Sequence, residues 1–262
     1  MRPGLTTAPR LMFAAFAAAL WPVGQWYASR MFDRSDEPYG LIALGTLVFV
    51  LARNRFELSH GELPWIGAGA LLIGYGLLYS VLSPLPRALV AAAAFAILVF
   101  RTRNVVAQVA LLALSLPVVA TAQFYLGFPL RVVAAEASVL VLRALKLGVT
   151  REGTLLHWRG ETILVDAPCS GVRMLWFGLY LAATLAALGR LDNRRSLFAL
   201  TVAFILVIAA NVVRATALFF KETQIVSLPD WTHPATGVVL FASAILVIVR
   251  LTRGSSPCVS AS

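Results

Sequence analysis

A thiol, an arginine and a histidine stand at points where an otherwise apolar chain would be expected to exclude them. Cys169, in "VDAPCSGVRML", directly precedes an apolar run. A thiol at a helix mouth feels the positive end of the macrodipole and meets unpaired backbone N–H groups, and both favour the thiolate. Ser170 and Gly171 follow, and their N–H groups would stabilise the oxyanion formed when that thiolate attacks a carbonyl. Gly171 also lets a substrate backbone come close. Arg173 lies one helical turn beyond Cys169, placed to hold a substrate carboxylate, to reach the interface, or to pair with Asp166 or Glu222. Arg214 sits inside "LVIAANVVRATALFF", where a cation is costly and normally faces a bundle interior or a wet cavity. Asn211, three residues earlier, shares its face. His233 opens "HPATGVVLF", ahead of a proline suited to the first helical position, and an imidazole of ordinary pKa suits acid/base work. A nucleophile, a base and a cation make a coherent set for acyl transfer. Each also has a plainer reading: a buried structural cysteine, a packing or snorkelling charge, an interfacial histidine.

The elements that must hold these residues follow from composition. The chain has 262 residues, 60% of them hydrophobic and 13% charged, whereas soluble domains are about 45–50% apolar and about 25% charged. That places it among membrane proteins. The net charge of +10 is gathered in short clusters between apolar runs, the pattern of cytoplasmic loops. No basic tract alternates with aromatics, so nucleic acid is not an expected partner. The two cysteines make no disulfide framework, and Cys258 in "GSSPCVSAS" is incidental or lipidated. His60, His157 and His233 form no ligand pair and no Cys/His cluster has zinc spacing. No metal or other cofactor is expected.

Eight apolar stretches qualify as spans: about 11–28, 39–52, 65–83, 85–100, 105–127, 171–189, 197–220 and 234–250. The first ends in Trp and Tyr and lacks a small-residue cleavage site, so it is expected as a retained helix and not a signal peptide. "RNRFELSHGE", "RTRN", "GRLDNRR" and "RLTRG" alternate with poorer boundaries such as "SPLPR" and "KETQIVSLPDWTH". With the basic set inside, both termini are cytoplasmic and Cys169, Arg214 and His233 all fall toward the outer face. The stretch about 128–170 forms an outer insertion. Its first part, with Arg131, Glu136, Arg143 and Lys146 spaced among apolar residues, predicts an amphipathic helix on the membrane surface. "TLLHWRGETILVDAPC" predicts a β-hairpin turning at Gly160. The expected fold is one polytopic all-α membrane domain over 1–262: about eight helices, an outer amphipathic helix and a small hairpin.

On "APCSGVR", "NVVR" and "HPATGVVLF", in that order and within about 165–241, the sequence resembles the exosortase/archaeosortase family. The earlier spans match only as generic membrane helices. The resemblance implies a multispan cysteine transpeptidase of the prokaryotic cytoplasmic membrane. Its substrates would be exported proteins tethered by a C-terminal sorting signal, cleaved and passed to an envelope acceptor. It implies Cys169 as nucleophile, Arg214 as essential cation and His233 as acid/base, with Ser170, Gly171, Arg173 and Asn211 in support. The extra C-terminal domain of some members is not expected here. The residues themselves leave two other readings open: a non-catalytic transporter or assembly subunit, with Arg214 as counter-ion, and a membrane acyltransferase working on lipid through Cys169 or His233. Transporters often carry matched broken helices, and none is visible in this sequence.

Overall fold

The computed structural model describes residues 14, 16–32, 38–54, 62–100, 104–165, 170–226, 229 and 231–253, with backbone alone at 233, 234, 251 and 253. The chain divides into two compact units, Met1–Val118 and Val119–Ser262.

The first unit holds α1 (Trp21–Phe32), α2 (Tyr39–Arg53), α3 (Glu62–Leu77), α4 (Pro84–Val99) and α5 (Val105–Ser115). Helix α4 starts where Ser83, in extended conformation, precedes Pro84 at the first helical position, a site where the missing N–H costs nothing. Its buried face is Ala88, Ala91, Ala94 and Leu98, spaced as one helical stripe. Helix α2 buries Gly40, Ala43, Leu47 and Val50 in the same way. Gly40 lies so close to the Ser115 carbonyl that a Cβ would collide with it.

The second unit holds α6 (Val119–Ala144), β1 (Thr150–Glu152), β2 (Leu155–Trp158), β3 (Glu161–Leu164), α7 (Val172–Leu188), α8 (Asn193–Glu222) and α9 (Thr232–Arg253). Alanines fill the space where α7, α8 and α9 meet: Ala182 and Ala203 are fully buried against Ile248. Large apolar side chains such as Phe198, Ile205, Val213, Val238 and Leu246 are exposed. Small residues inside and large apolar ones outside is the arrangement of helices packed in lipid, where close backbone approach replaces hydrophobic exclusion from water.

Two of the expectations are corrected. The stretch expected as a single span over 105–127 breaks at Leu116, which turns extended with ψ 156 because Pro117 disfavours the helical conformation in the residue before it. The expected amphipathic surface helix is not a separate element. It is the later part of α6, which runs 26 residues through Pro129. Among the described residues, α6 and the 30-residue α8 are the two helices long and apolar enough to cross a membrane, spanning about 39 and about 45 Å at 1.5 Å per residue. The remaining apolar helices are shorter, so the described residues do not by themselves establish eight spans.

The hairpin is present and carries a third strand. β2 and β3 pair antiparallel with Trp158 opposite Glu161. The two residues between them, Arg159 and Gly160, both have positive φ, 50° and 86°, as a type I′ turn requires. β1 adds to the other edge with Thr150 opposite His157. Leu156 is buried with Val149, Val139, Leu142 and Phe219, and Trp158 meets Phe219 edge-on at 6.0 Å. The sheet is thereby fixed to the later part of α6 and the end of α8.

Candidate functional site

Cys169 and Asp166 lie outside the described residues, as do His60 and Cys258. The flanks of the 166–169 segment are anchored. Before it, Val165 is buried and its N–H donates to the Thr154 carbonyl at 3.0 Å. After it, Ser170 is 4% exposed. Its Oγ donates to Gln123 Oε1 at 3.0 Å and lies 3.5 Å from the Val172 N–H. One hydroxyl thus links the first turn of α7 to α6.

Gly171 is the N-cap of α7, with φ 73 and ψ 4. That left-handed conformation carries a steric cost for every residue with a Cβ. The space is closed as well: a Cβ there would lie 3.0 Å from Asn211 Cγ and 3.2 Å from each amide terminus. Asn211 is itself buried, so the mouth of α7 rests directly on its carboxamide. Ser170, Gly171 and Asn211 line a narrow cleft whose other walls are apolar, among them Leu130, Ala134 and Leu175.

Arg214 is three residues beyond Asn211 and eight before the end of α8, about 12 Å along the axis. Its guanidinium lies against α9: a Cβ on Gly237 would be 3.4 Å from Nε and 3.6 Å from Cζ. His233 is on α9 one turn before Gly237; its backbone is helical and its side chain is outside the described atoms. Elements bearing all three motifs therefore meet: the mouth of α7, the Asn211–Arg214 turn of α8 and the start of α9. Arg173 is exposed on the first turn of α7 and is not among the cleft-lining residues.

Packing holds this junction. Helices α7 and α8 approach so closely at Gly178 that a Cβ would lie 2.6 Å from Val207 Cγ2. Phe177 of α7 meets Phe241 of α9 at 6.4 Å between centroids. Fully buried Ser138 of α6 donates to the Val212 carbonyl at 3.4 Å, and Thr216 donates to the same carbonyl at 2.9 Å. Both hydroxyls are beside the Asn211–Arg214 turn.

Sequence reasoning did not single out Gln123, Ser138 or Gly237. Gln123 left a signal, as the one carboxamide in "VVATAQFYLGFPL". Gly237 sits inside "HPATGVVLF", but nothing in spacing reveals that its missing side chain makes room for Arg214. Among the described residues, no group of three or more His, Cys, Asp or Glu is placed to hold a metal.

Neither a curated protein nor a solved structure matches the chain. The family model for transmembrane exosortase matches residues 26–250, a stretch that takes in the α7 mouth, the Asn211–Arg214 turn and the start of α9 together with most of both units. The chain therefore belongs to the transmembrane exosortase family.

Proposed function

We propose that this membrane protein is a cysteine transpeptidase or protease that cleaves the C-terminal sorting signal of exported proteins, with Cys169 as nucleophile. The observation that carries the reading is the junction just described, in which Gly171 rests on Asn211 and Gly237 on Arg214. Three motifs far apart in sequence thus contribute to one locality. The enzyme works in the cytoplasmic membrane of a prokaryote as an eight-span bundle with both termini inside and the junction toward the outer face. It needs no cofactor.

In this reaction His233 takes the Cys169 proton, and the thiolate attacks the scissile carbonyl carbon. A C–S bond forms and the carbonyl oxygen becomes an oxyanion, stabilised by Arg214 and the N–H groups at the mouth of α7. Collapse breaks the C–N bond, and His233 returns its proton to the leaving amine. An acceptor amine or water then attacks the thioester, giving up a proton to His233, and the thiolate leaves. Ser170 and Asn211 hold the α7 mouth in place, and Arg173 meets the substrate chain outside the cleft. The substrate's single apolar helix docks laterally from the bilayer.

The test is alkylation of whole cells by a membrane-impermeant thiol reagent at about pH 6.5, well below the ordinary thiol pKa of about 8.5. Fast labelling that persists in Cys258→Ser and disappears in Cys169→Ser is expected. Alongside it, Cys169→Ala should abolish processing of a sorting-signal substrate while the protein still accumulates in the membrane. Normal processing by Cys169→Ala would sink the reading.

A further inference from the structure

A second polar locality lies in the first unit, which holds none of the residues given a role in the proposed reaction. Pro22, Val23 and Trp26 of α1, Tyr75 of α3, and Pro84 and Arg87 of α4 line a small cleft. The Arg87 guanidinium is held in orientation: Nε donates to the Leu82 carbonyl at 2.7 Å, and Cζ stacks 4.0 Å over the Tyr79 ring. This leaves its two terminal NH₂ groups for a ligand, and Arg87 forms no ion pair among the described residues. The one carboxylate among the described residues of this unit is Glu62, thirteen residues before Tyr75 at the other end of α3, about 20 Å away along the helix.

Tyr75 is 6% exposed, and its hydroxyl is buried without a hydrogen-bond partner among the described residues. A phenol hydroxyl in that state is destabilising unless something accepts its proton. A partly buried cation with no counter-charge among the described residues is likewise unfavourable in an apolar body. Both deficits are met by one species, an anion with several acceptor oxygens.

The position says which anion. Tyr75 is in the last turn of α3, Tyr79 is in the Leu78–Ser83 connection and Arg87 is in the first turn of α4, so the cleft is at one end of a helical hairpin. Trp and Tyr gather where membrane helices leave the hydrocarbon for the headgroup layer, and Trp26, Tyr75 and Tyr79 surround the cation here. We propose that this cleft binds the phosphate of an anionic phospholipid, with Arg87 as the charge partner and the Tyr75 hydroxyl as a neutral donor.

The full chain, reconstituted in phosphatidylcholine nanodiscs, tests this independently of the transpeptidase reading. Adding phosphatidylglycerol should raise Tm by about 2–4 °C. Arg87→Gln should abolish that shift, and Tyr75→Phe, which keeps the ring and its packing, should reduce it. Millimolar inorganic phosphate in phosphatidylcholine is the second arm. A shift there that Arg87→Gln removes would keep the phosphate site but assign it to a free anion. No shift with either addition, or one that survives both substitutions, overturns the proposal.

Discussion

The two units use buried polar side chains differently. In the first, Gln108 Nε2 donates to Asn104 Oδ1 one turn away at 3.3 Å, and Ser115 Oγ donates to the Leu112 carbonyl. Both bonds lie along α5 and tie the helix to itself. In the second, Ser170 reaches Gln123 across 47 residues and Ser138 reaches the Val212 carbonyl across 74. Those bonds tie α7 and α8 to α6. A local bond satisfies a polar group wherever its helix goes. A long-range bond fixes one helix against another, and a catalytic constellation needs that kind of positioning. The proposed chemistry belongs to the second unit, where these contacts are of the long-range kind.

The comparison breaks most visibly at Arg214. Arg214→Gln should lower processing of a sorting-signal substrate by about 10²–10³, the cost of losing a principal oxyanion donor, with little change in membrane accumulation. A variant that processes normally would reduce the α8–α9 contact to packing. A smaller effect is expected at the link between α6 and α7. Ser170→Ala and Gln123→Leu should each slow processing about tenfold, or about 1.4 kcal/mol, and the double variant should be no slower than either single one. Independent, multiplying losses would show that the two side chains do not act through their shared hydrogen bond. The smallest effect belongs to the first unit. Gln108 is fully buried and its Oε1 has no partner among the described residues, so Gln108→Leu relieves one desolvated acceptor while giving up one donor. Its Tm should move by no more than the equivalent of about 1 kcal/mol in either direction, with processing unchanged. A large loss of processing would place α5 among the elements that position the site.

Much of the helical content was legible in the sequence because it rests on local rules. Apolar runs over 39–52, 85–100 and 171–189 became α2, α4 and α7 with no end moved by more than one residue. The turn at Gly160 was legible because a two-residue hairpin loop needs positive φ. The α8 start was extended: "GRLDNRR" reads as a loop, yet Asp192 accepts the Arg195 N–H at 2.8 Å and caps a helix that takes in Arg194 and Arg195. β1 escaped notice because "TRE" has no apolar alternation. It is held by backbone pairing to β2 and by the contact of Arg151 with Glu136. That same contact gives Glu136 a partner off its own helix.

The sequence by itself determined that this chain belongs in a membrane, where most of its helices run, and which three motifs hold a thiol, a cation and an imidazole. Those properties follow from composition, periodicity and residue type, all of which act over a turn or a strand. Only the tertiary structure decided that the mouth of α7 rests on Asn211, that Arg214 lies along Gly237, and that Gln123 accepts the Ser170 hydroxyl. These contacts depend on how closely particular backbones approach. In the two glycine contacts that closeness is set by an absent side chain, which leaves no periodic trace in the sequence.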